Sequence, residues 1–383
     1  MQFWARAARL TSLDEVPSTL RRARWGSVLG MALAANALAA RAFRTLTTAR
    51  MSASSASPRR SAAGGLVAVV YVSEGKSQGI VDALETVARD ACATHGARVV
   101  NVFRDVEYNR TGFTLGARVP SSASVDDADP ATVEPLRSVA VALAERAMSL
   151  VDLRSHAAAH PRCGVVDHIS CHAIGGADES LAAALARGIG ERVGTLGVPA
   201  LLYGSASATR VTLAHLRRRH GYFRETGGTG AWSGAHVMEG GDVDADYGPR
   251  VVPPAAGVVM LGSTPWVCNY NVPVVARGTD GDAVSSAEAV SAARRLARKV
   301  SERGGGLPGV QAMALPHGED ELGPVVEIAC NLLNADEAGP EAVQAEVARL
   351  CRDDAEGGGG VAWDVREGYV TNLTPEELLE RLV

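Results

Sequence analysis

An α+β fold of two repeated sheet-and-helix halves is predicted by three observations. Apolar runs of strand length alternate with stretches of helical periodicity; the order strand, helix, strand, strand, helix, strand occurs twice; and a long Gly/Pro-rich stretch lies between the two occurrences. That order is the split βαβ, or ferredoxin-like, pattern, in which two helices pack on one face of a four-stranded antiparallel sheet. Two such halves imply a cleft between them, where ligands commonly bind.

Leu66–Val72 is a continuous apolar run rich in β-branched residues and reads as a buried strand, followed by the turn Ser73-Glu74-Gly75-Lys76 and a helix from about Gln78 to Thr94. Val99–Phe103 and Thr111–Ala117 read as the next two strands. Residues 121–135 are acidic, lack an apolar period and read as a solvated loop, and Ala131–Val151 follows as a long helix. A strand through Gly164–Cys171 and a helix from Asp178 to Leu196 complete the first half. Pro199–Tyr203 then resembles a short strand and Val211–Arg219 a basic helix, ahead of the irregular stretch Gly227–Gly257; a loop that long in a compact domain is functional or disordered. The second half opens with a strand at Val258–Gly262, then a strand at Asn271–Ala276 and a helix from Ser285 to Arg303. Strands near Val310–Leu315 and Val325–Cys330 follow, with a helix from Glu341 to Arg352, and Thr374 with Glu377 can cap a last helix. The expected organisation is a leader or disordered tail over 1–63, a first half over 64–257 that includes the irregular segment, and a second half over 258–383.

At 383 residues, 46% of them hydrophobic, the chain can bury one large or two medium cores. The first 63 residues hold ten Arg, no Lys and only Asp14 and Glu15 as acids, a net charge of +8 that leaves −13 on the remainder. The acidic body offers no general affinity for nucleic acid. The Arg-, Ser- and Ala-rich leader reads as a transit peptide to a mitochondrion or plastid, whereas a start at Met51 would give a cytosolic protein. Its uncharged stretch Gly26–Ala40 is shorter than the roughly 20 residues a membrane span needs, so no membrane partner is expected for the body. Six scattered cysteines without a CxxC pair imply reduced thiols.

Between Ala159 and His172 the chain reads AHPRCGVVDHISCH, with three of its nine histidines. Histidine titrates near neutral pH and suits proton transfer. A zinc site is the rival, but His168 and His172 on one strand would stand about 13 Å apart at 3.3 Å per residue. Pro161 also disfavours the helical geometry at His160 that convergence with His156 requires. No metal is therefore expected, and His160 is the acid/base candidate, beside Arg162 and able to pair with Asp167 or another carboxylate. No GxSxG elbow supports a serine nucleophile. Tyr108-Asn109-Arg110-Thr111 sets a guanidinium fork and an amide at the start of a strand, suited to gripping a carboxylate. The turn Ser73–Lys76 offers backbone donors and Lys76 to an anion, without the spacing of a phosphate loop. Asp246-Tyr247-Gly248-Pro249, running on through Pro253 and Pro254 to Gly257, is either a rigid linker or the wall of a slot for a flat ligand.

In this order the motifs SEGK (Ser73–Lys76), NRT (Asn109–Thr111), HPRCGVVD (His160–Asp167), VPALLYG (Val198–Gly204), DYGP (Asp246–Pro249) and the stretch Asn269–Val272 resemble the formiminotransferase family. The phrases YNRTG, HPRCGVVDH, TPWVCNYNVPV and ERGGGLPGVQAMALPHG are closer still to its single-unit members from plants and algae. The resemblance covers about residues 66–383. It implies two ferredoxin-like subdomains around a substrate tunnel, and transfer of a formimino group from N-formimino-L-glutamate to N5 of tetrahydrofolate, a co-substrate. It places the catalytic histidine at His160, for which the residues themselves offer Arg162, Asp167, Asp105, Asn109 and Arg110 as support. Folate contact falls on Gly248, Pro249, Arg250, Val251, Val252, Pro253, Pro254, Ala255, Ala256 and Gly257. Small molecules are thus the expected partners, with a homodimer as the expected assembly. Two positions depart from the family pattern. Phe103 stands where an acid assists the histidine, with Asp105 two residues on, and GPRVVPPAAG lacks the family's aromatic and serine residues. A folate-binding protein with little transfer activity is the alternative reading.

Overall fold

The computed structural model describes residues 63–120, 132–223, 242–278, 283–357 and 360–383. The leader, most of the acidic loop and residues 224–241, which include the first part of the irregular stretch, lie outside the described residues. The fold is α+β, with two sheets and their helices.

The first sheet begins with β1 (Ala63–Val72), whose alternation sends Leu66, Ala68, Val70 and Val72 to a helix-covered core and Val67, Val69 and Tyr71 to the opposite face. Ser77 starts α1 (Gln78–His95) by accepting the Ile80 amide, and Gly96 ends it at φ 73°, a left-handed position that glycine takes without strain. Next come β2 (Arg98–Asp105), β3 (Arg110–Pro120), α2 (Glu134–Leu150), β4 (Val166–Ile174) and α3 (Glu179–Thr195), the last capped by Asp178. The sheet order is β2-β3-β1-β4, antiparallel throughout, extended by β6 (Val259–Ser263) and β5 (Ala200–Gly204), which run parallel to β4. Between β5 and β6 lies the short α4 (Leu213–Arg219).

The strand at 258–262 therefore does not open the second half. It carries Val259 and Leu261 into the first core, where their apolar side chains find a preformed edge beside β4. The second sheet starts with β7 (Cys268–Gly278) and continues through α5 (Ser286–Val300), β8 (Val310–Asp320), β9 (Gly323–Leu332), α6 (Pro340–Glu356) and β10 (Val361–Val365). Its order is β10-β7-β9-β8, all antiparallel, with β11 (Tyr369–Val370) paired to β7. Its core lies under α5 and α6, centred on Val272, Val274, Leu296, Ile328 and Val347. No helix among the described residues is long and apolar enough to cross a membrane.

The chain then returns to the first sheet. In α7 (Pro375–Arg381), the capping box of Thr374 and Glu377 sets the start, and Leu378 and the following Leu382 pack on Val67, Val69, Val100 and Ile174. Gly116 makes room: a Cβ there would sit 2.6 Å from the Leu382 side chain. Because Leu378 is fully buried, Leu378→Ala is expected to lower unfolding stability by about 2–5 kcal/mol, and an unchanged urea midpoint would show that α7 docks only weakly.

Candidate active site

The faces of the two sheets not covered by α1–α3, α5 and α6 are tied together by polar side chains. Tyr71 donates its hydroxyl to Asn269 at 3.3 Å, Tyr108 donates to Glu327 at 2.6 Å, and His317 Nε2 lies 3.2 Å from Asp105. The loop between α2 and β4 brings His160 to the same region, edge-on to Tyr108 with ring centroids 5.4 Å apart and to Tyr222 at 6.2 Å.

His160 is half-buried, and its Nδ1–H donates to the Pro161 carbonyl at 2.7 Å. A carbonyl can only accept, so Nε2 carries the lone pair, and it takes no hydrogen bond among the described residues. Burial, reinforced by the Arg110, Arg217 and Arg162 guanidiniums and opposed by the Pro161 contact, holds this imidazole well below the usual histidine range. At neutral pH it is an uncharged base with its lone pair free.

Asp167, expected as a partner of His160, is engaged elsewhere. Its Oδ2 takes Arg110 Nη1 at 3.0 Å and lies 3.5 Å from Arg217 Nη2, while Oδ1 accepts the Cys163 amide at 2.6 Å. Hydrogen bonds and ion pairs to guanidiniums are stronger than one to a neutral imidazole, and this carboxylate, 1% exposed, has two guanidiniums within 3.5 Å. Asp105 is also turned away, accepting the Tyr108 amide at 2.8 Å and facing His317. Phe103 pairs with Gly112 on β3 and supplies no carboxylate.

Arg162, 1% exposed, holds the loop by donating to the His156 carbonyl at 2.7 Å and the His160 carbonyl at 3.3 Å. Burial lowers its pKa to about 10, so it remains charged at neutral pH. Arg110 lies over the Tyr71 ring at 4.7 Å and Arg217 over Tyr222 at 4.3 Å. Three arginines thus surround a single buried aspartate. Arg162 Nε, Arg217 Nε and the Tyr222 hydroxyl are buried without hydrogen-bond partners among the described residues.

The SEGK turn proves to be a clamp and not an anion cradle. Its Gly75 and Lys76 amides donate to the Asn109 side chain at 2.8 and 3.0 Å, and Glu74 accepts the Lys76 and Ser77 amides. Asn109, at φ 49°, also donates to the Ala157 carbonyl at 3.0 Å, fastening the His160 loop to the β2–β3 turn. Asn109→Ala removes these bonds and leaves a left-handed position without the side chain that suits it. A loss of about 2–3 kcal/mol is expected, and a change below 0.5 kcal/mol in urea unfolding would refute the clamp.

The segment 248–257 divides. Gly248 packs on Gly194 at the end of α3, and Val252 is buried beside Tyr203 and Tyr222. Ala255 accepts the Leu153 amide and Ala256 the Val165 amide, both at 2.9 Å, so these residues brace the loop bearing His160 from either side. At Gly257, with φ 73°, a Cβ would lie 2.1 Å from the Cys163 carbonyl, a contact only glycine tolerates. Arg250, Val251 and Pro254 remain exposed.

A formiminotransferase domain, N-terminal subdomain, is matched over residues 65–264. A formiminotransferase cyclodeaminase-like protein of Arabidopsis thaliana is 36% identical over 82% of this chain and 94% of its own length. The chain belongs to the formiminotransferase family. Formimidoyltransferase-cyclodeaminase of Sus scrofa is 26% identical over 73% of this chain, which spans 46% of that protein. Glutamate formimidoyltransferase of Streptococcus pyogenes serotype M1 is 25% identical over 68% of this chain and 75% of its own length.

Sequence reasoning did not single out Arg217, Tyr222, His317 and Glu327 in this family member. Arg217 belongs to the run Arg217-Arg218-Arg219, where only contact with Asp167 distinguishes it from its exposed neighbours. His317 and Glu327 lie on different strands of the second sheet, and neither carries a local signal for its meeting with Asp105.

The buried histidines also set the pH response. His156, His160, His168, His172 and His220 are all shifted down, chiefly by burial, and His156 and His172 reach about 4. The unfolded chain binds protons at these sites near pH 6.5 while the folded chain resists, so their stabilising contribution is full above that pH and declines as pH falls toward 4. His317 is shifted up and contributes in the opposite sense, its stabilisation being lost as pH rises through its folded pKa. With five groups against one, urea midpoints are expected to fall between pH 7 and pH 5. Equal midpoints would contradict this balance.

Proposed function

We propose that the protein transfers a formimino group from N-formimino-L-glutamate to N5 of tetrahydrofolate, within a tunnel between two ferredoxin-like halves. The excess of buried cationic donors around Asp167, next to a neutral His160, carries this reading. A donor with two carboxylates supplies the acceptors that Arg162 Nε, Arg217 Nε and the Tyr222 hydroxyl lack. His160 Nε2 is suited to take the N5 proton as the new carbon–nitrogen bond forms. The sheet orders β4-β1-β3-β2 and β10-β7-β9-β8 support the paired ferredoxin-like reading. Because Ala255–Gly257 are occupied in bracing the loop, folate contact in this segment is assigned to Arg250, Val251 and Pro254.

Purified protein supplied with both substrates should release glutamate and form 5-formiminotetrahydrofolate. One observation favours the second reading, a folate-binding protein with little transfer: no carboxylate hydrogen-bonds His160 among the described residues. Tight folate binding without glutamate release would establish that reading and remove the first.

A further inference from the structure

The carboxylate that stands closest to playing the orienting role in this cleft serves another histidine. His317, on β8, directs Nε2 at Asp105 Oδ2 across 3.2 Å, and its Nδ1 lies 3.6 Å from Glu327 Oε1, too far for a hydrogen bond. Its ring meets Tyr108 edge-on at 5.0 Å, and Tyr108 also meets His160 edge-on at 5.4 Å. The His317 side chain is 24% exposed while both carboxylates are buried. One nitrogen is thus fixed by an acid, and the other has no hydrogen-bond partner among the described residues.

From this geometry we infer that His317, oriented by Asp105, is a second proton-transfer residue of the cleft and acts as the acid that protonates the departing amine. The inference rests on the transferase reading above. The N5–carbon bond forms as His160 Nε2 takes the N5 proton; the bond from that carbon to the glutamate nitrogen then breaks as His317 Nδ1 gives that nitrogen a proton. Glutamate leaves as its amine, and water returns one proton from His160 to His317, so the protein ends as it began.

The surroundings of the two rings divide these roles. His160 faces Arg110, Arg162 and Arg217, whereas His317 faces Asp105 of β2, Glu107 and Tyr108 of the following turn, and Glu327 of β9, which also accepts the hydroxyl of Tyr369 of β11. Cations favour a neutral imidazole and carboxylates a charged one, which sets a base and an acid in contact with the same tyrosine. Asp105, His317 and Glu327 could also hold a divalent metal. The geometry favours the proton: the two ring nitrogens face different carboxylates instead of converging on one point, and Glu327 already accepts Tyr108, Tyr369 and Asn271.

The test compares wild type with His317→Gln and Asp105→Asn in full pH–rate profiles, alongside folate titrations. His317→Gln should lower kcat about 100-fold or more with folate affinity retained, and should erase the alkaline limb of the profile while leaving the acidic limb. Asp105→Asn should move that limb to lower pH. A formimino donor whose leaving amine is a weakly basic aryl amine should restore the rate of His317→Gln but not that of His160→Gln. A His317→Gln rate within twofold of wild type, or a loss confined to KM, overturns the assignment and leaves the transferase reading standing. Wild-type activity abolished by a chelator and restored by zinc overturns it in favour of a metal. Absence of turnover by wild type itself removes both readings.

Discussion

His160→Gln is expected to reduce kcat by about 10²–10⁴-fold with little change in folate affinity. The glutamine amide reaches the position of Nε2 and keeps much of the side chain's bulk, but it offers no lone pair of imidazole basicity there. The acidic limb of the wild-type profile should lie well below pH 6.5, because burial and three nearby guanidiniums oppose protonation of the ring. Activity is lost as pH falls through that limb, since the protonated imidazole has no pair to offer. A His160→Gln enzyme with near-normal kcat, or a limb at the ordinary histidine pKa, would show that the ring is not the base.

Asp167→Asn is expected to have the largest effect on stability, a loss of about 3–5 kcal/mol. The substitution keeps the shape of the side chain but leaves Arg110 and Arg217 without their shared anion, in a region where Arg162 is also buried. Urea unfolding measures it, and a loss below 1 kcal/mol would mean that solvent or neighbouring groups already balance the arginines. A dicarboxylate ligand should narrow the gap between Asp167→Asn and wild type, since its charge replaces part of what was removed.

Those elements whose signal is local were legible in the sequence. The continuous apolar run of β1, the helical stretch from Gln78 and the Thr374–Glu377 box each lie within a few residues and predict their elements closely. His160 was legible because Pro161 forces its segment out of helical geometry beside Arg162. Partnerships were not. Asp167 is seven residues from His160 and reads as its natural partner, yet Arg110, 57 residues away, holds it. Similarly, Asp105 meets a histidine 212 residues along the chain. Sequence proximity ranks candidate partners by distance along the chain, whereas a buried carboxylate chooses by charge among whatever the fold brings within reach. The placement of β6 failed for a related reason: an apolar strand announces that it will be buried, not which sheet edge will receive it.

The return of α7 to the first sheet affects the order in which the molecule can be finished during synthesis. Val67, Val69 and Ile174 emerge from the ribosome about 200 or more residues ahead of Leu378 and Leu382, which cover them. Until then, the nascent first half displays an apolar strip with no cover of its own. Chains stalled or cleaved before residue 375 would carry that strip permanently, and chaperones that recognise exposed apolar surface should retain them while releasing the full-length protein.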